Sequence, residues 1–590
     1  MAYSRIFDLL DNQIKKFNKP DALCGKEDGK WIKYSASEVI TTSNNYSYGL
    51  LKMGLQKNDK IAIISNNRPE WNIADMAIIQ AGGIDVPIYP TISDHDLNFI
   101  LKNAEVKYVL VSSMEIYQKV VNAISDNPNV LAIHSFDKLE GVNHWSEIIE
   151  LGVANPVPDK LNEIKSAIKT EDLATLLYTS GTTGNPKGVM LAHMNLMSNC
   201  EDCNHLCPVG PEGVALSFLP LNHVYERMLT YLYMFKGVSI YYAQSIETIG
   251  DNLKEIQPHI FSTVPRLLEK VYDKITAKGG ELTGTKKKLF FWALNLGLRY
   301  ELDGANGWWY EVQLKLANKI IFNKWREALG GNVQVIVSGG AALQARLARV
   351  FWSANIPVLE GYGLTETSPV IAVNSLEARG AKFGTVGTVI KNVTVKIAED
   401  GEIIVKGPNV MLGYYKNQEA TDEAIDKEGY FHTGDIGVFE NEKYLKLTDR
   451  KKEIFKTSGG KYITPQQIEN KLKESRFIEQ AMIIGENQKF AAAFIVPSFQ
   501  SIKEWFERKG IMLKEKDEMI KHPEVINKLK EEVEIVNKSL AQYENIKRFE
   551  LVNKEWTIDG GELTPKMSMK RKVILQKNQS LFDKIYETNK

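Results

Sequence analysis

The residues best placed to do chemistry lie in one run, YTSGTTGNPKGV at 178–189. Thr179, Ser180, Thr182 and Thr183 supply hydroxyl donors, and Gly181 and Gly184 let backbone N–H groups come close to an oxyanion. Lys187 puts a cation where negative charge would gather. Such a loop is built for phosphates. It is not the loop of P-loop kinases and ATPases, whose G-x-x-x-x-G-K-[ST] spacing needs a hydroxyl after the lysine, where this chain has Gly188. A plain Ser/Thr/Gly turn would account for four or five such residues but not for the whole ordered string. A second group, Cys200, Cys203 and Cys207 with His205 among them, could ligate a metal through thiolate and imidazole. At helical spacing the three sulfurs share one face, where cysteine behaves as a small buried hydrophobe, and no second ligand pair of zinc-type spacing appears elsewhere. The core reading is favoured.

A chain of 590 residues must divide into several cores to bury its interior, and 44% hydrophobic with 25% charged residues is the composition of a folded, soluble protein. Lys+Arg and Asp+Glu are equal at 73 each, so no net field favours nucleic acid or an anionic membrane, which leaves only local basic patches. The amphipathic N-terminus MAYSRIFDLLDNQIKKF, with Asp8 and Asp11, lacks the apolar run of a secretory signal. No stretch has a bilayer-spanning length, and four cysteines suit a reducing cytoplasm.

The elements that must position the loop are readable in outline. Residues 1–170 alternate helices with β-type runs such as KIAIIS (60–65) and KYVLVSS (107–113), the pattern of an α/β unit with a parallel sheet. LATLLYTSG (173–181), VQVIVSGGAAL (333–343) and IPVLEGYGLTE (356–366) are strands running into Gly-rich turns, as at a ligand crevice. The first of these is expected to feed a helix after the loop. Residues 265–330 read as a helical insert rich in Trp, Leu and Lys, and about 375–449 as a β-rich subdomain of short strands. TDRKKEIFK (448–456) is too charged for a core element and marks a boundary, giving a large N-terminal domain, 1–449, and a small α+β C-terminal domain, 450–590.

The loop resembles the phosphate-binding signature of the acyl-adenylate-forming superfamily, and three further stretches follow in that family's order: GYGLTET (361–367), YFHTGD (430–435) and DRKKEIFKTSGGKYI (449–463). The resemblance implies ATP, Mg²⁺ and coenzyme A as partners of the reaction. It makes Glu366 the Mg²⁺ carboxylate, with an exposed surface glutamate as the bland alternative. Tyr362 would face adenine within Glu360, Gly361, Gly363 and Thr365, with Gly340 and Ala341 as the opposite wall, and Asp435 and Arg450 would hold the ribose. LPLNHVYERM (219–228) resembles the segment lining the carboxylate pocket, placing His223 near the acyl carboxylate; Tyr225, Tyr231, Tyr233 and Phe235 either wall a tunnel or are simple core. Lys452 corresponds to the pivot about which the C-terminal domain turns between half-reactions, and Lys456, Gly459 and Gly460 to the loop presented for the thioester step.

One segment departs from the family. Aligned on ELTP and the trailing KRK of ELTPKMSMKRKVI (562–574), the position of the usual adenylation lysine holds Ser568. Lysines two residues either side, Lys566 first and Lys570 second, point the same way in an extended segment and are the candidates. VPRLLEKVYDK (264–274) and VSGGAALQARLARVF (337–351) resemble the long-chain fatty acyl-CoA synthetase branch. The expected activity is therefore long-chain fatty acid–CoA ligation through an acyl-adenylate. A carrier-protein-loading acyl-AMP ligase, or a regulatory nucleotide-binding homologue, are the alternatives. A lipid substrate is compatible with peripheral membrane contact, although no basic amphipathic anchor stands out. The sequence assigns no oligomeric state and no acyl length.

Overall fold

The protein is described from a computed structural model, covering residues 3–125, 127–179, 185–245, 247–507, 509–511, 515–557, 560–563 and 569–587. Ser180, Gly181, Thr182, Thr183, Gly184, Lys566 and Ser568 lie outside the described residues. The chain forms two units: Met1–Lys396 with Ile404–His432 and Glu440–Leu445, and Ile397–Ile403 with Thr433–Phe439 and Lys446–Lys590.

The first unit is α/β, built on two large sheets. In one, Ile84–Pro87, Lys60–Ile64, Val106–Val111, Ala132–Ser135 and Asn143–His144 run parallel and in that spatial order, with Leu173–Thr179, Lys187–Ala192 and Gly413–Tyr414 added at the other side. Every residue of Ile84–Pro87 is buried and four of five in Lys60–Ile64 are, as befits strands covered on both faces. The other sheet carries Val214–Ser217, Ile260–Thr263, Val335–Ser338 and Val358–Gly363 as parallel neighbours. The helix Pro69–Gln80, started by its proline at the first position, is buried along all twelve residues and touches Leu23–Glu27 of this sheet and Ile84–Pro87 of the first.

A helix buried all round must satisfy its polar groups internally. Asp75 on it meets the guanidinium of Arg227 at 2.6 Å; Arg227 also reaches Asp85 at 3.1 Å, and donates to the hydroxyls of Thr175 at 2.8 Å and Tyr231 at 2.6 Å. All three charged side chains are fully buried. Burial pushes the Asp85 carboxyl up, against the pull of the Arg227 guanidinium beside it. The cluster ties the helix Val224–Lys236, on which Arg227 lies, to Asp75 of the buried helix and to Asp85 and Thr175 of the sheet.

Between Ile260–Thr263 and Val335–Ser338 lie the helices Pro265–Glu281, Gly284–Leu298 and Trp308–Ala317. The first two pack closely, because a Cβ at Gly279 would sit 2.0 Å from the Phe290 ring. Short strands follow, Thr394–Ile397, Glu402–Lys406, Phe431–Glu440 and Tyr444–Arg450, as one four-stranded sheet. The charged run that reads as a linker is strand up to Arg450: its Asp449 is buried and accepts from Gln466 N–H at 3.2 Å, while Arg450 is exposed. The second unit has its own core around Ile478–Ile484, Ala492–Pro497 and Arg548–Leu551, covered by helices that include Pro465–Leu472 and Pro523–Asn537.

Candidate active site

Two strands, Leu173–Thr179 and Lys187–Ala192, flank the phosphate-type run. They are antiparallel, with Thr179 opposite Lys187 and Tyr178 opposite Gly188, and the helix His193–Cys203 starts only after the second strand. This corrects the expected strand-to-helix passage: the residues after Lys187, GVMLA, are an apolar run that pairs and buries as strand.

Lys187 is positioned by a residue that the motif reading missed. Its ammonium lies over the ring of Tyr414, 4.9 Å from the centroid, and the Tyr414 hydroxyl donates to Glu366 Oε1 at 3.0 Å. Tyr414 is in place because Gly413–Tyr414 pairs with the second of these strands, Tyr414 opposite Val189, and Glu366 because its carbonyl accepts from Met411 N–H at 2.9 Å. Burial, then the Glu366 charge, pushes the phenol well above its ordinary range, so it stays a donor. Lys187 and Glu366, 179 positions apart in sequence, thus meet at one tyrosine, the first at its ring and the second at its hydroxyl. The GYY triplet at 413–415 was the available signal.

The neighbouring wall comes from the second sheet. Val358–Gly363 carries Glu360, Gly361, Tyr362 and Gly363, and a 3₁₀ turn, Thr365–Thr367, holds Glu366 half-exposed between buried Thr365 and Thr367. Gly363 is obligatory, since a Cβ there would lie 1.7 Å from the Pro369 carbonyl oxygen. Tyr362 is 9% exposed. Glu360 accepts from Leu343 N–H at 2.8 Å, and burial pushes its carboxyl up to about 8, so it is protonated at neutral pH. Gly340, at φ +80°, and Ala341 follow Val335–Ser338 with their backbone exposed.

His223 caps the helix Val224–Lys236: its Nδ1 accepts from Tyr225 N–H at 3.0 Å, which leaves Nε2 as the protonated nitrogen of the neutral ring. Tyr225 reaches back, donating to the Val337 carbonyl at 3.0 Å, and its ring is 3.2 Å from where a Gly339 Cβ would stand. The start of this helix and the Gly339–Gly340 turn are therefore neighbours. Tyr231 belongs to the Arg227 cluster and Tyr233 is buried, so both are core; Phe235 is half-buried. Cys200 and Cys203 are buried on His193–Cys203, and Cys207 stands beyond a 3₁₀ turn rather than on the helix. Burial pushes all three thiols up.

In the second unit, Asp435 and Arg450 come together across adjacent strands, Nε to Oδ1 at 3.0 Å, with Asp435 buried. Lys451 is held by Asp400 at 2.6 Å and Glu402 at 2.9 Å, while Lys452 is exposed in the turn that follows. Lys456 pairs with Tyr462 across a two-residue hairpin whose tip contains Gly459 and Gly460, the latter at φ +76°. Lys570 is exposed just before the helix Arg571–Lys577, its backbone N–H donating to the Glu562 carbonyl at 2.8 Å.

Residues 10–415 match the family described as AMP-binding enzyme, and residues 452–590 the AMP-binding enzyme C-terminal domain. The long-chain-fatty-acid–CoA ligase FadD15 of Mycobacterium bovis is 32% identical over 565 residues, spanning 95% of this chain and 93% of that one. The long-chain-fatty-acid–CoA ligase ACSBG2 of Xenopus laevis is 30% identical, spanning 99% and 84%. Among solved structures, the adenylation domain of a carboxylate reductase from Mycobacterium chelonae superposes with a TM-score of 0.75 at 18% identity, covering 99% of this chain and 91% of that one. An anthranilate CoA ligase bound to anthranoyl-AMP gives 0.72 at 16%, covering 98% and 97%. With both family segments in order along its length, this chain belongs to the AMP-binding enzymes.

Proposed function

We propose that the protein is an ATP-dependent long-chain fatty acid–CoA ligase. The acid's carboxylate attacks the α-phosphorus of ATP, pyrophosphate leaves, and the thiol of CoA then attacks the acyl carbonyl of the adenylate to give the thioester and AMP. The observation that carries this reading is the Lys187–Tyr414–Glu366 arrangement, a cation and a carboxylate held at one tyrosine beside a run of phosphate-binding composition. The names of the similar ligases support the acyl and CoA parts.

The substrate supplies the nucleophile, so the protein's work is positioning and charge stabilisation. Lys187 and the hydroxyls of Thr179, Ser180, Thr182 and Thr183 bind the phosphates. Glu366 suits Mg²⁺: it is a hard oxygen donor, half-exposed, and the Tyr414 hydroxyl occupies one of its acceptor positions. The ion would offset charge on the departing pyrophosphate. Tyr362 with Gly340 and Ala341 takes the adenine, Asp435 and Arg450 the ribose, and His223, through Nε2–H, the acyl carboxylate. Lys566, or failing it Lys570, neutralises charge during adenylation. The domain boundary falls at 449/450, with Lys452 as pivot and Lys456, Gly459 and Gly460 serving the thioester step.

Pyrophosphate release measured over acids from acetate to long-chain fatty acids, with CoA, without it, and with an acyl carrier protein, tests the reading. Turnover that needs a long acid and CoA is expected. Loading of the carrier protein alone would reassign the acceptor, and no pyrophosphate with any acid would leave a nucleotide-binding homologue.

A further inference from the structure

The helix Trp308–Ala317 is amphipathic in an unusual sense: both of its faces carry apolar side chains. Its inner stripe, Tyr310, Leu314 and Ala317, is buried, and the Tyr310 hydroxyl donates to the Leu296 carbonyl at 2.6 Å, fixing the helix to Gly284–Leu298. Its outer stripe is Trp308, Trp309, Val312 and Leu316, exposed by 77%, 60%, 48% and 52%. The display is built rather than frayed. Asn306 holds the preceding turn, accepting from Glu301 N–H at 2.7 Å and donating to the Arg299 carbonyl at 2.9 Å, and the two indoles pack edge to face at 5.6 Å. Leaving such a patch in water is unfavourable, and contiguous apolar surface on an ordered element marks a contact site.

We infer that this helix docks the protein on the surface of an anionic lipid bilayer. The occupant follows from charge. Residues 265–330 carry twelve Lys and Arg against seven Asp and Glu, in a chain where the totals are equal. Lys315 and Lys319 are exposed along the outer face, and Lys286, Lys287 and Lys288 are exposed at the start of the adjoining helix. Tryptophan beside lysine on one helix face suits the boundary where acyl chains meet anionic headgroups. A second copy of the same face would set these lysines against each other. Contact is interfacial, since no helix among the described residues is long and apolar enough to cross a membrane. That a long-chain acid is itself dissolved in bilayers adds a reason for the site; this last point rests on the proposed function, whereas the surface does not. The sequence reading found no such anchor because spacing alone does not tell which of two apolar stripes faces out.

The test is co-sedimentation of the full chain with vesicles of phosphatidylcholine alone and with about a third phosphatidylglycerol. The wild type should bind the anionic vesicles, and Trp308→Ser with Trp309→Ser should weaken binding about tenfold or more, with Lys315→Gln and Lys319→Gln or high salt weakening it less. The tryptophan variant should release pyrophosphate like the wild type with a long-chain acid supplied in detergent micelles and CoA, without vesicles, which reports its fold; if it does not, the lysine variant decides. No binding of the wild type to anionic vesicles, or undiminished binding by both variants, would overturn the proposal. So would a wild-type dimer on size exclusion that the tryptophan variant splits. Trp-dependent vesicle binding by a protein inactive on every acid would retain the docking surface and reject the ligase.

Discussion

Lys187 and Lys456 are both assigned to charge chemistry, yet the molecule treats them differently. Lys187 stands in a defined strand register, lies over Tyr414, and through that ring shares its position with Glu366. Lys456 caps a two-residue ladder and lies over Tyr462, at 5.1 Å, a ring itself 63% exposed. Lys452 and Lys570 are exposed in a turn and before a short helix. The first unit places Lys187 and Glu366 through a packed, hydrogen-bonded arrangement; the second presents Lys452, Lys456 and Lys570 to solvent. A preorganised cluster loses much when one member goes, while a solvated lysine matters only where a reaction step uses it.

The contrast breaks most visibly at Arg227. Arg227→Met would leave the Asp75 carboxylate without its cation in a fully buried site, and denaturant unfolding should register a loss of about 3–5 kcal/mol. A loss near zero would mean that the cluster does not support the first unit. Next, Glu366→Gln should slow pyrophosphate release by about 10²–10³-fold, the range for removing one preorganised electrostatic group; an undiminished rate would take the metal role from Glu366.

Smaller effects sharpen the comparison. Tyr414→Phe keeps the ring beneath Lys187 and removes only the hydroxyl on Glu366, so pyrophosphate release should fall about tenfold, with Lys456→Ala as the counterpart. That variant should leave adenylate formation within about twofold and slow acyl transfer to CoA, as single-turnover measurements would separate. The reverse pattern would exchange the roles of the two regions.

The smallest effect concerns pH. The folded-state value of Glu360, about 8, lies above the ordinary 4.5, so the folded chain keeps a proton that the unfolded chain loses. The stability this confers is complete below about 4.5 and is lost as pH rises through about 8. Glu360→Gln retains the acceptor for Leu343 N–H and should flatten that decline, by about a degree or two in Tm. An unchanged slope would assign it to Asp85 and Asp449, also pushed up by burial, the latter to about 7.

Much of the scaffold was legible because its signals are local. KIAIIS and KYVLVSS became parallel strands. The ribose-type motif was harder: Phe431–Glu440 alternates buried and half-buried residues, but its glycines, histidine and aspartate hide the strand. The loop motif was found and its exit misread, because a short apolar run fits strand or helix until a partner strand is present.

By itself the sequence determined the chemistry that the chain can attempt: hydroxyls, glycines and a lysine in one loop, a carboxylate in a second motif, and the order of both along the chain. Tertiary structure alone decided that Lys187 and Glu366 share Tyr414, that Arg227 is sunk between two aspartates, and that Trp308 and Trp309 face outward. Composition and spacing act over a few residues, whereas burial and cross-strand register depend on partners from distant parts of the chain.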